Sequence, residues 1–348
     1  QLATETLRPA SADASFRRYF RIDALNGSSL IIMDAPPAQE NCKPFVDIAR
    51  LMAQAGLIVP DILAWDEAQG FMLLTDLGAK TMLEVINPHL SDDLAEPNFD
   101  LYMQAVDALI DWQLASKPDV LPPYDEALLR RELALFPDWY LAKHKGVTLD
   151  KTQQAVLDNA FSLIVKRNLG VPSVYVHRDF MPRNLMVIEP ISQPKTADDK
   201  RSSQRSLGVL DFQDAVYGPI TYDIASLMRD AFLSWEEPFV LDITIKKKKK
   251  AVKVGLLGEK SQIGWGADFG EFYRAVEWQA LQRHLKILGI FARLTLRDGK
   301  PKYLADTPRF INYVRKTADR YRELGPFLKL IDQIEGIETA TGFAYGRM

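Results

Sequence analysis

The sequence contains very little cysteine and no long apolar run. Of its 348 residues only Cys42 is a cysteine, so no disulfide can form within the chain, which suits a reducing cytoplasm. No stretch approaches the ~20 consecutive apolar residues that a membrane-spanning helix needs. The first residues also lack the charged and then apolar pattern of a secretory signal peptide. We therefore expect a cytoplasmic protein that spans no membrane.

The sequence also lacks an excess of positive charge. Its 43 Lys and Arg residues against 46 Asp and Glu give a formal net charge of −3. Proteins that bind nucleic acid are usually basic overall, so the composition argues against a nucleic-acid partner. The one concentration of positive charge is a run of five lysines, Lys246 to Lys250. We interpret it as a solvated connection rather than a site for anionic lipid or nucleic acid.

Short strands dominate the first part of the chain. Residues 16–22 and 29–33 are β-type runs on either side of Asn26-Gly27, a dipeptide typical of hairpin turns. The pattern then predicts a helix from Pro44 to Ala55, because proline suits a first helical turn. Two further strands are predicted over residues 58–65 and 70–76. A small sheet with one crossing helix is therefore expected.

From about residue 95 the apolar spacing becomes helical. The candidate helices cover residues 101–114, 152–166, 272–292 and 307–324. Two strands interrupt them, near residues 174–177 and 207–210, and we expect these two to pair as a hairpin. The polar residues 189–206 would form a loop at its tip. The pattern predicts an α+β fold with an N-terminal lobe over residues 1–78 and a C-terminal lobe over residues 79–348.

The most informative string lies at the end of the first of these strands. It places His177, Asp179 and Asn184 in the spacing H-x-D-x-x-x-x-N, which is that of a phosphotransferase catalytic loop. In such a loop the Asp accepts the proton of the attacking hydroxyl and the Asn holds a metal ion. Downstream, Asp211 ends the second strand and precedes a phenylalanine. Asn184 and Asp211 would supply the oxygen ligands that magnesium prefers, and Asp179 would be the base.

These strings resemble the aminoglycoside phosphotransferase and choline kinase branch of the protein-kinase-like fold. The segment from Gly218 to Ala225 strengthens the resemblance, because a similar stretch in that family places a structural Asp, here Asp223, against the catalytic loop. The resemblance implies two lobes, with a small antiparallel sheet in the first and mostly helices in the second. It also implies ATP and Mg²⁺ as cofactors.

The resemblance extends to the nucleotide site. It assigns the phosphate-covering loop to the stretch around Ser11, Asp13, Ala14, Ser15 and Arg17. It assigns the adenine-contacting hinge between the lobes to Thr75, Asp76 and Leu77.

One departure concerns the third strand, where kinases usually place a phosphate-binding lysine. Met33 occupies that position here, and Asp47 on the next helix is a poor match for the partner glutamate. Either another cation, such as Lys43 or Arg17, serves the phosphates, or the protein binds nucleotide without turnover. The presence of Asp179, with both metal-ligand candidates, favours turnover.

A more distinctive resemblance is to the bacterial anomeric sugar kinases of cell-wall recycling. It is carried by the stretch from Asp13 to Arg21, by Met33 to Pro37 and by Gln282 to Leu294. Those enzymes phosphorylate N-acetylmuramate and N-acetylglucosamine at the C1 hydroxyl with ATP. The lactyl carboxylate of N-acetylmuramate would need a cationic partner. The candidate substrate-binding residues are Arg178, Arg183, Glu132, Asp138, Trp139, Arg283 and Lys286.

Two alternatives remain open at this point. The protein could be a kinase of another small alcohol, such as an aminoglycoside, choline or homoserine. It could also be a non-catalytic nucleotide-binding regulator, as Met33 suggests. The arginines beside Asp179 argue mildly against a cationic aminoglycoside.

Overall fold

The structure is a computed structural model that describes residues 1–12, 16–88, 95–188, 207–258 and 266–337. The side chains of residues 11 and 12 and the predicted loop at residues 189–206 lie outside this description. The chain forms two compact units, Gln1–Pro123 with Val174–Ala267, and Tyr124–Ser173 with Asp268–Met348. The lobe boundary near residue 78 stays a prediction.

The described residues contain nine β-strands. They are β1 Leu2–Ala12, β2 Arg18–Ala24, β3 Ser29–Asp34, β4 Ile62–Asp66, β5 Phe71–Thr75, β6 Ser173–Val176, β7 Leu185–Val187, β8 Leu207–Val209 and β9 Val216–Pro219.

Ten α-helices lie in the same ranges. They are α1 Lys43–Gln54, α2 Met82–Ile86, α3 Phe99–Leu114, α4 Glu126–Leu135, α5 Lys151–Leu169, α6 Tyr222–Met228, α7 Glu237–Lys253, α8 Phe269–Leu296, α9 Thr307–Arg320 and α10 Gly325–Glu335. A π-helix, Phe136–His144, follows α4, and 3₁₀ turns cover Pro182–Asn184, Pro301–Asp306 and Arg322–Leu324. None of these helices is both long and apolar enough to cross a membrane.

The first unit begins with an antiparallel sheet of five strands in the order β1-β2-β3-β5-β4. The predicted hairpin at Asn26-Gly27 is confirmed, since Asp23 pairs with Ser29 and Gly27 has a φ of 85°. The crossing helix is confirmed as α1, with Pro44 in its first turn. The edge strand β1 was not predicted, because none of its described side chains is buried and it shows no apolar alternation.

The strands around the catalytic loop pair differently from the prediction. β6 pairs with β9, and β7 pairs with β8. The expected hairpin between residues 174–177 and 207–210 is therefore wrong. The chain leaves β6, passes through the catalytic loop and returns as β7, so β7 is the strand that meets β8, with Leu185 opposite Val209. The two motifs still come together, because β8 leads directly to Asp211.

All seven residues of the helix α6 are buried. The lysine run is part of another helix, α7, so the predicted solvated connection is wrong. Lys247 and Lys248 are buried, whereas Lys246 pairs with Asp242 at 3.5 Å and Lys250 pairs with Asp107 of α3. The lysines adopt a helical conformation because the apolar residues of α7, such as Val240 and Ile243, pack inward.

The second unit is helical and is built around α8. Its helices confirm the candidates at residues 152–166, 272–292 and 307–324, the last of which ends at Arg320 and resumes as a 3₁₀ turn. Gly289 allows the backbones to approach, since a Cβ there would lie 2.3 Å from the carbonyl oxygen of Leu135. His284 is a core residue, stacked on Tyr313 with ring centroids 4.7 Å apart.

Replacement of Gly70 by alanine should destabilise the first unit strongly. Gly70 has a φ of +78°, and an added Cβ would lie 2.1 Å from the carbonyl oxygen of Ala35. The matched control is Gly27→Ala, at a φ of +85° with nothing within 4 Å. We expect Gly27→Ala to cost roughly 1–2 kcal/mol from the left-handed backbone alone, and Gly70→Ala roughly 1–3 kcal/mol more from the clash. Urea unfolding of both variants measures the difference, and equal losses would contradict the clash.

Candidate active site

The catalytic loop begins where β6 ends. His177 is fully buried, and its Nε2–H donates to the carbonyl oxygen of Leu210 at 3.0 Å. Its Nδ1 accepts the backbone N–H of Asp179 at 3.3 Å. Burial lowers the pKa of His177, and the carboxylates of Asp223 and Asp179 oppose that effect only in part. A neutral imidazole therefore ties the backbone of Asp179 to the chain just before Asp211.

The carboxylate of Asp223 holds the backbone of this loop from α6. Its Oδ2 accepts the N–H of His177 at 2.8 Å, and its Oδ1 accepts the N–H of Arg178 at 3.0 Å. The structural role that the resemblance implies for Asp223 is thereby confirmed. Arg178 has a φ of +78°, a left-handed conformation that costs roughly 1–3 kcal/mol in a non-glycine residue. The two hydrogen bonds to Asp223 compensate for that strain in the residue that immediately precedes Asp179 in the chain.

Asn184 and Asp211 are brought together. The side-chain amide of Asn184 donates to the carbonyl oxygen of Asp179 at 2.9 Å and contacts Asp211 Oδ2 at 3.3 Å. Asp211 also has a left-handed backbone, with a φ of 62°, and its Oδ1 accepts the side-chain amide of Gln213 at 2.8 Å. The amide nitrogen of Asn184 thus binds protein oxygens, and ligation of a cation by its amide oxygen stays a prediction.

The donor set of this pair fits magnesium. Mg²⁺ is usually bound by one or two carboxylates, with substrate phosphates and water completing its shell. Among the described residues, no group of three or more His, Cys, Asp or Glu side chains could hold a metal ion. The pair of Asn184 and Asp211 is instead one amide and one carboxylate, both hard oxygen ligands. These residues are suited to a magnesium ion that arrives with a nucleotide.

The residue after Asp211 connects this pair to α1. Phe212 is fully buried, and its ring centroid lies 4.9 Å from that of Phe45 on α1. A ring buried on both sides leaves little room for the segment to move. The position of Asp211 therefore depends on the packing of α1.

The third strand has no lysine at the expected position. Met33 is fully buried there, between Tyr19 on β2 and Met72 on β5. Asp47 pairs with Lys43 on the exposed face of α1, so it does not replace the usual glutamate. The lysine–glutamate ion pair of kinases is thus absent from these two positions.

The predicted phosphate loop is described only in part. Asp13, Ala14 and Ser15 lie outside the described residues, as does the side chain of Ser11. Arg17 pairs with Glu40 at 3.2 Å, and each side chain is only 12% exposed. Glu40 also accepts the backbone N–H of Phe16 at 3.2 Å. A pocket of about 410 Å³ opens beside Glu40, and Lys43 contributes to its lining.

The hinge residues 75–77 are held by a dense set of contacts. The carboxylate of Asp76 accepts hydrogen bonds from Arg21 at 2.5 Å, Ser29 at 2.6 Å and the N–H of Gly78 at 3.0 Å. Burial alone would raise the pKa of Asp76, but these donors outweigh it and lower that pKa. Thr75 bonds Asp61 through its hydroxyl and its N–H. The side chain of Asp76 is thus structural, and nucleotide binding by residues 75–77 stays a prediction for their backbone.

The two arginines of the catalytic loop have different surroundings. Arg178 donates from Nη1 to the carbonyl oxygen of Asp214 at 3.4 Å. Arg183 is exposed, and its guanidinium lies 4.9 Å from the ring centroid of Phe232. The contact with Phe232 could not be found from the sequence, because nothing in the spacing connects the two positions.

The remaining substrate candidates lie in the second unit. Glu132 is buried, pairs with Lys286 at 2.9 Å and accepts hydrogen bonds from Tyr124 at 2.7 Å and Gln282 at 3.0 Å. The structure thus brings two of the predicted residues together as an ion pair. Arg283 is also buried. Asp138 is exposed in the π-helix, where Lys143 Nζ lies 3.5 Å from the centroid of the Trp139 ring. Substrate binding by these residues stays a prediction.

A family model, sequence relatives and solved structures all match this chain to phosphotransferases. A model of the phosphotransferase enzyme family, APH, matches residues 6–247. An N-acetylmuramate/N-acetylglucosamine kinase of Pseudomonas aeruginosa is 48% identical over 93% of this chain and 87% of its own length. An enzyme of the same name from Neisseria meningitidis is 42% identical over 97% of this chain and 93% of its own.

Solved structures share the fold at low identity. The amicoumacin kinase hAmiN in complex with AMP-PNP, Ca²⁺ and Ami has a TM-score of 0.58 at 15% identity, covering 92% of this chain and 90% of its own. The Plasmodium vivax ethanolamine kinase has a TM-score of 0.56 at 8% identity, covering 89% and 82%. The predicted α+β protein-kinase-like fold is therefore confirmed. Since the family model matches well over half of the sequence, this chain belongs to the phosphotransferase enzyme family.

Proposed function

We propose that this protein transfers the γ-phosphoryl group of ATP to the anomeric C1 hydroxyl of N-acetylmuramate and N-acetylglucosamine. The observation that carries the proposal is the 42–48% identity to kinases named for these sugars, over at least 93% of this chain. The catalytic loop supports it, because the residues that phosphoryl transfer requires are present and ordered around Asp179.

The reaction needs one proton acceptor. The C1 oxygen of the sugar attacks the γ-phosphorus, the bond from that phosphorus to the β–γ bridging oxygen breaks, and ADP leaves. The hydroxyl proton passes to the carboxylate of Asp179, whose backbone is held through His177 and Asp223. An anomeric hydroxyl is more acidic than an ordinary alcohol, so a carboxylate is a sufficient base.

Asn184 and Asp211 would hold the magnesium ion that accompanies the nucleotide. When bound, the ion offsets the negative charge of the phosphates during transfer. The contact of the Asn184 amide with the carbonyl oxygen of Asp179 keeps this ligand beside the base. Base and metal ligands therefore keep their relative positions through backbone contacts.

Because the buried Met33 is uncharged, another side chain must supply the cation that binds the nucleotide phosphates. Arg17 is engaged with Glu40, and both side chains are largely buried. Lys43 forms its pair with Asp47 while its own side chain is 68% exposed. An exposed pair of this kind is worth about 0–1 kcal/mol, so Lys43 can exchange Asp47 for a phosphate at little cost. Lys43 is the cation that we assign to the nucleotide.

Arg183 suits the substituent that separates the two sugars. It lies next to Asn184, is exposed, and has no carboxylate partner among the described residues. The ring of Phe232 supports its guanidinium, which lowers the entropy lost when an anion binds. We therefore assign the lactyl carboxylate of N-acetylmuramate to Arg183. The positive charge of Arg183 would repel a polycationic aminoglycoside.

The reaction itself is tested by product analysis. Purified protein is incubated with magnesium-ATP and a panel of N-acetylmuramate, N-acetylglucosamine, an aminoglycoside, choline and homoserine, and ³¹P–¹H NMR locates the new phosphate. We expect sugar 1-phosphates from the first two compounds, and a loss of about 10²–10⁴-fold in rate for Asp179→Asn. ATP consumption with no sugar 1-phosphate would overturn the proposal, and near-normal rates for Asp179→Asn would overturn the role of Asp179.

The metal assignment is tested by Asp211→Asn. Loss of one anionic ligand should weaken the binding of Mn²⁺, used as a spectroscopic substitute for Mg²⁺, in the presence of ADP. Electron paramagnetic resonance measures the free Mn²⁺. In an activity assay, the rate of the variant should still increase with added Mg²⁺ at concentrations that already saturate the unaltered protein. Asp158→Asn removes an exposed carboxylate on α5 and serves as the control. Unchanged Mn²⁺ affinity in Asp211→Asn would contradict the assignment.

Arg183→Met should separate the two sugars. A hydrogen bond to a charged group is worth about 1.5–3 kcal/mol, so we expect kcat/KM for N-acetylmuramate to fall about 10–100-fold. The value for the neutral N-acetylglucosamine should change by less than about threefold. Phe232→Leu removes the aromatic ring beside Arg183 but leaves the guanidinium charge. It should lower kcat/KM for N-acetylmuramate less than Arg183→Met does, and again more than it lowers the value for N-acetylglucosamine. Equal losses for both sugars would show that Arg183 serves the nucleotide or the fold.

A further inference from the structure

We propose that Arg21 is a positioning residue for the nucleotide base and acts by fixing the backbone of residues 75–78, the hinge segment. The inference rests on the proposed function, because it assumes that Asn184 and Asp211 hold the metal ion of a bound nucleotide. It concerns an arginine of β2 that the phosphoryl transfer does not otherwise use.

The hinge segment lies against the strand that leads to the proposed metal site. A Cβ added to Gly208 of β8 would lie 2.7 Å from Cδ1 of Leu77, so glycine allows Leu77 to pack on this strand. Just after the segment, the carbonyl oxygen of Lys80 accepts the N–H of Val187 on β7 at 2.9 Å. Gly208 precedes Asp211 by three residues, which is about 10 Å along an extended strand. The base of a nucleotide whose phosphates reach Asp211 would therefore come close to the hinge segment.

Arg21 makes three hydrogen bonds to the hinge segment. Its Nε donates to Oδ2 of Asp76 at 2.5 Å, and its Nη2 donates to Oδ1 of the same carboxylate at 3.0 Å. Nη2 also donates to the carbonyl oxygen of Gly78 at 2.8 Å. Oδ1 of Asp76 in turn accepts the N–H of Gly78 at 3.0 Å. One guanidinium therefore holds a side chain and a backbone carbonyl that lie two residues apart.

The pair of Arg21 and Asp76 joins two charges with little access to water. The side chain of Asp76 is 5% exposed and that of Arg21 is 23% exposed. Burial alone would raise the pKa of Asp76, but the hydrogen bonds from Arg21 and Ser29 outweigh burial and the pKa is lowered. Asp76 is therefore ionised, and removal of Arg21 would take away the counter-charge of a buried carboxylate.

Arg21 also lies on the face of the sheet that carries Met33. Tyr19 pairs with Met33 and Arg21 pairs with Ile31, and alternate residues of a strand share a face. Met33 occupies the position where kinases place the phosphate-binding lysine, so this face is the one that would meet a nucleotide. Two roles are open to a cation there, binding the phosphates or fixing the hinge segment. The three hydrogen bonds of Arg21 to the hinge segment favour the second role.

Loss of Arg21 should weaken the binding of the base and not that of the phosphates. Without the guanidinium, the nucleotide itself would have to order the backbone around Asp76, and that ordering lowers affinity. The contacts of Leu77 with β8 and of Lys80 with β7 would remain. Asp211 should therefore keep its position.

The test compares a nucleotide with a ligand that has no base. Isothermal titration calorimetry measures the binding of magnesium-ADP and of magnesium tripolyphosphate. In Arg21→Met we expect the Kd of ADP to rise about 10-fold, and the Kd of tripolyphosphate to change by less than about twofold. Equal losses for both ligands would show that Arg21 binds phosphates and would overturn the proposal. An unchanged Kd of ADP would overturn it as well.

Two further variants separate the hinge segment from general stability. Asp76→Asn keeps the shape of the side chain but removes the charge that Arg21 binds, and it should weaken ADP binding by a similar factor. Arg8→Met is the matched control, because Arg8 forms a bidentate but exposed pair with Asp23 of β2. It should leave the Kd of ADP within about twofold. Unchanged ADP binding in Asp76→Asn, or a loss in Arg8→Met equal to that in Arg21→Met, would contradict the assignment.

Hydrogen exchange provides a readout that needs no ligand. In Arg21→Met the peptide that contains residues 75–78 should exchange faster, while the peptide that contains His177 and Arg178 should keep its protection. Unchanged exchange in residues 75–78, or faster exchange in both peptides, would count against Arg21. If the unaltered protein binds magnesium-ADP but phosphorylates no sugar, the proposed function fails, and these measurements still decide the role of Arg21.

Discussion

The two hydrogen bonds from the catalytic-loop backbone to the carboxylate of Asp223 are the interaction on which the rest of the site depends. They compensate for the left-handed backbone of Arg178, and Asp179, the proposed base, follows immediately in the chain. The neutral ring of His177 extends this support to the chain before Asp211, and the amide of Asn184 connects the metal pair back to Asp179. The proposed base and metal ligands are therefore positioned by backbone contacts that a substrate need not induce.

This arrangement accounts for a kinase that has no lysine on its third strand. The usual lysine holds nucleotide phosphates, but it does not hold the base, so replacing it with Met33 leaves the catalytic loop intact. Two other cations, Arg183 and Lys43, are exposed where anions can reach them. We propose Arg183 for the sugar carboxylate and Lys43 for a nucleotide phosphate.

The sequence predicted the short-range features of this protein well. The Asn26-Gly27 dipeptide predicted a hairpin correctly, because it depends on a few neighbouring residues. The H-x-D-x-x-x-x-N spacing is equally local, and the structure places its Asp179 and Asn184 in contact, while their roles as base and metal ligand stay predictions. Features that depend on distant contacts were missed. The pairing of β6 with β9, the helix around Lys247 and the support of Arg183 by Phe232 are set by packing between distant segments. Hydrophobic periodicity does not specify such pairings.

We propose that Asn184 and Asp211 hold the metal ion beside Asp179. A crystal structure with Mn²⁺, a non-hydrolysable ATP analogue and N-acetylmuramate would locate the ion through its anomalous scattering. We expect an ion bound by the amide oxygen of Asn184 and the carboxylate of Asp211, at about the 2.1 Å of a hard-cation site. We also expect Asp179 within hydrogen-bond reach of the C1 hydroxyl. An ion held by other residues, or a sugar with its C1 hydroxyl away from Asp179, would show that the metal and base assignments are wrong.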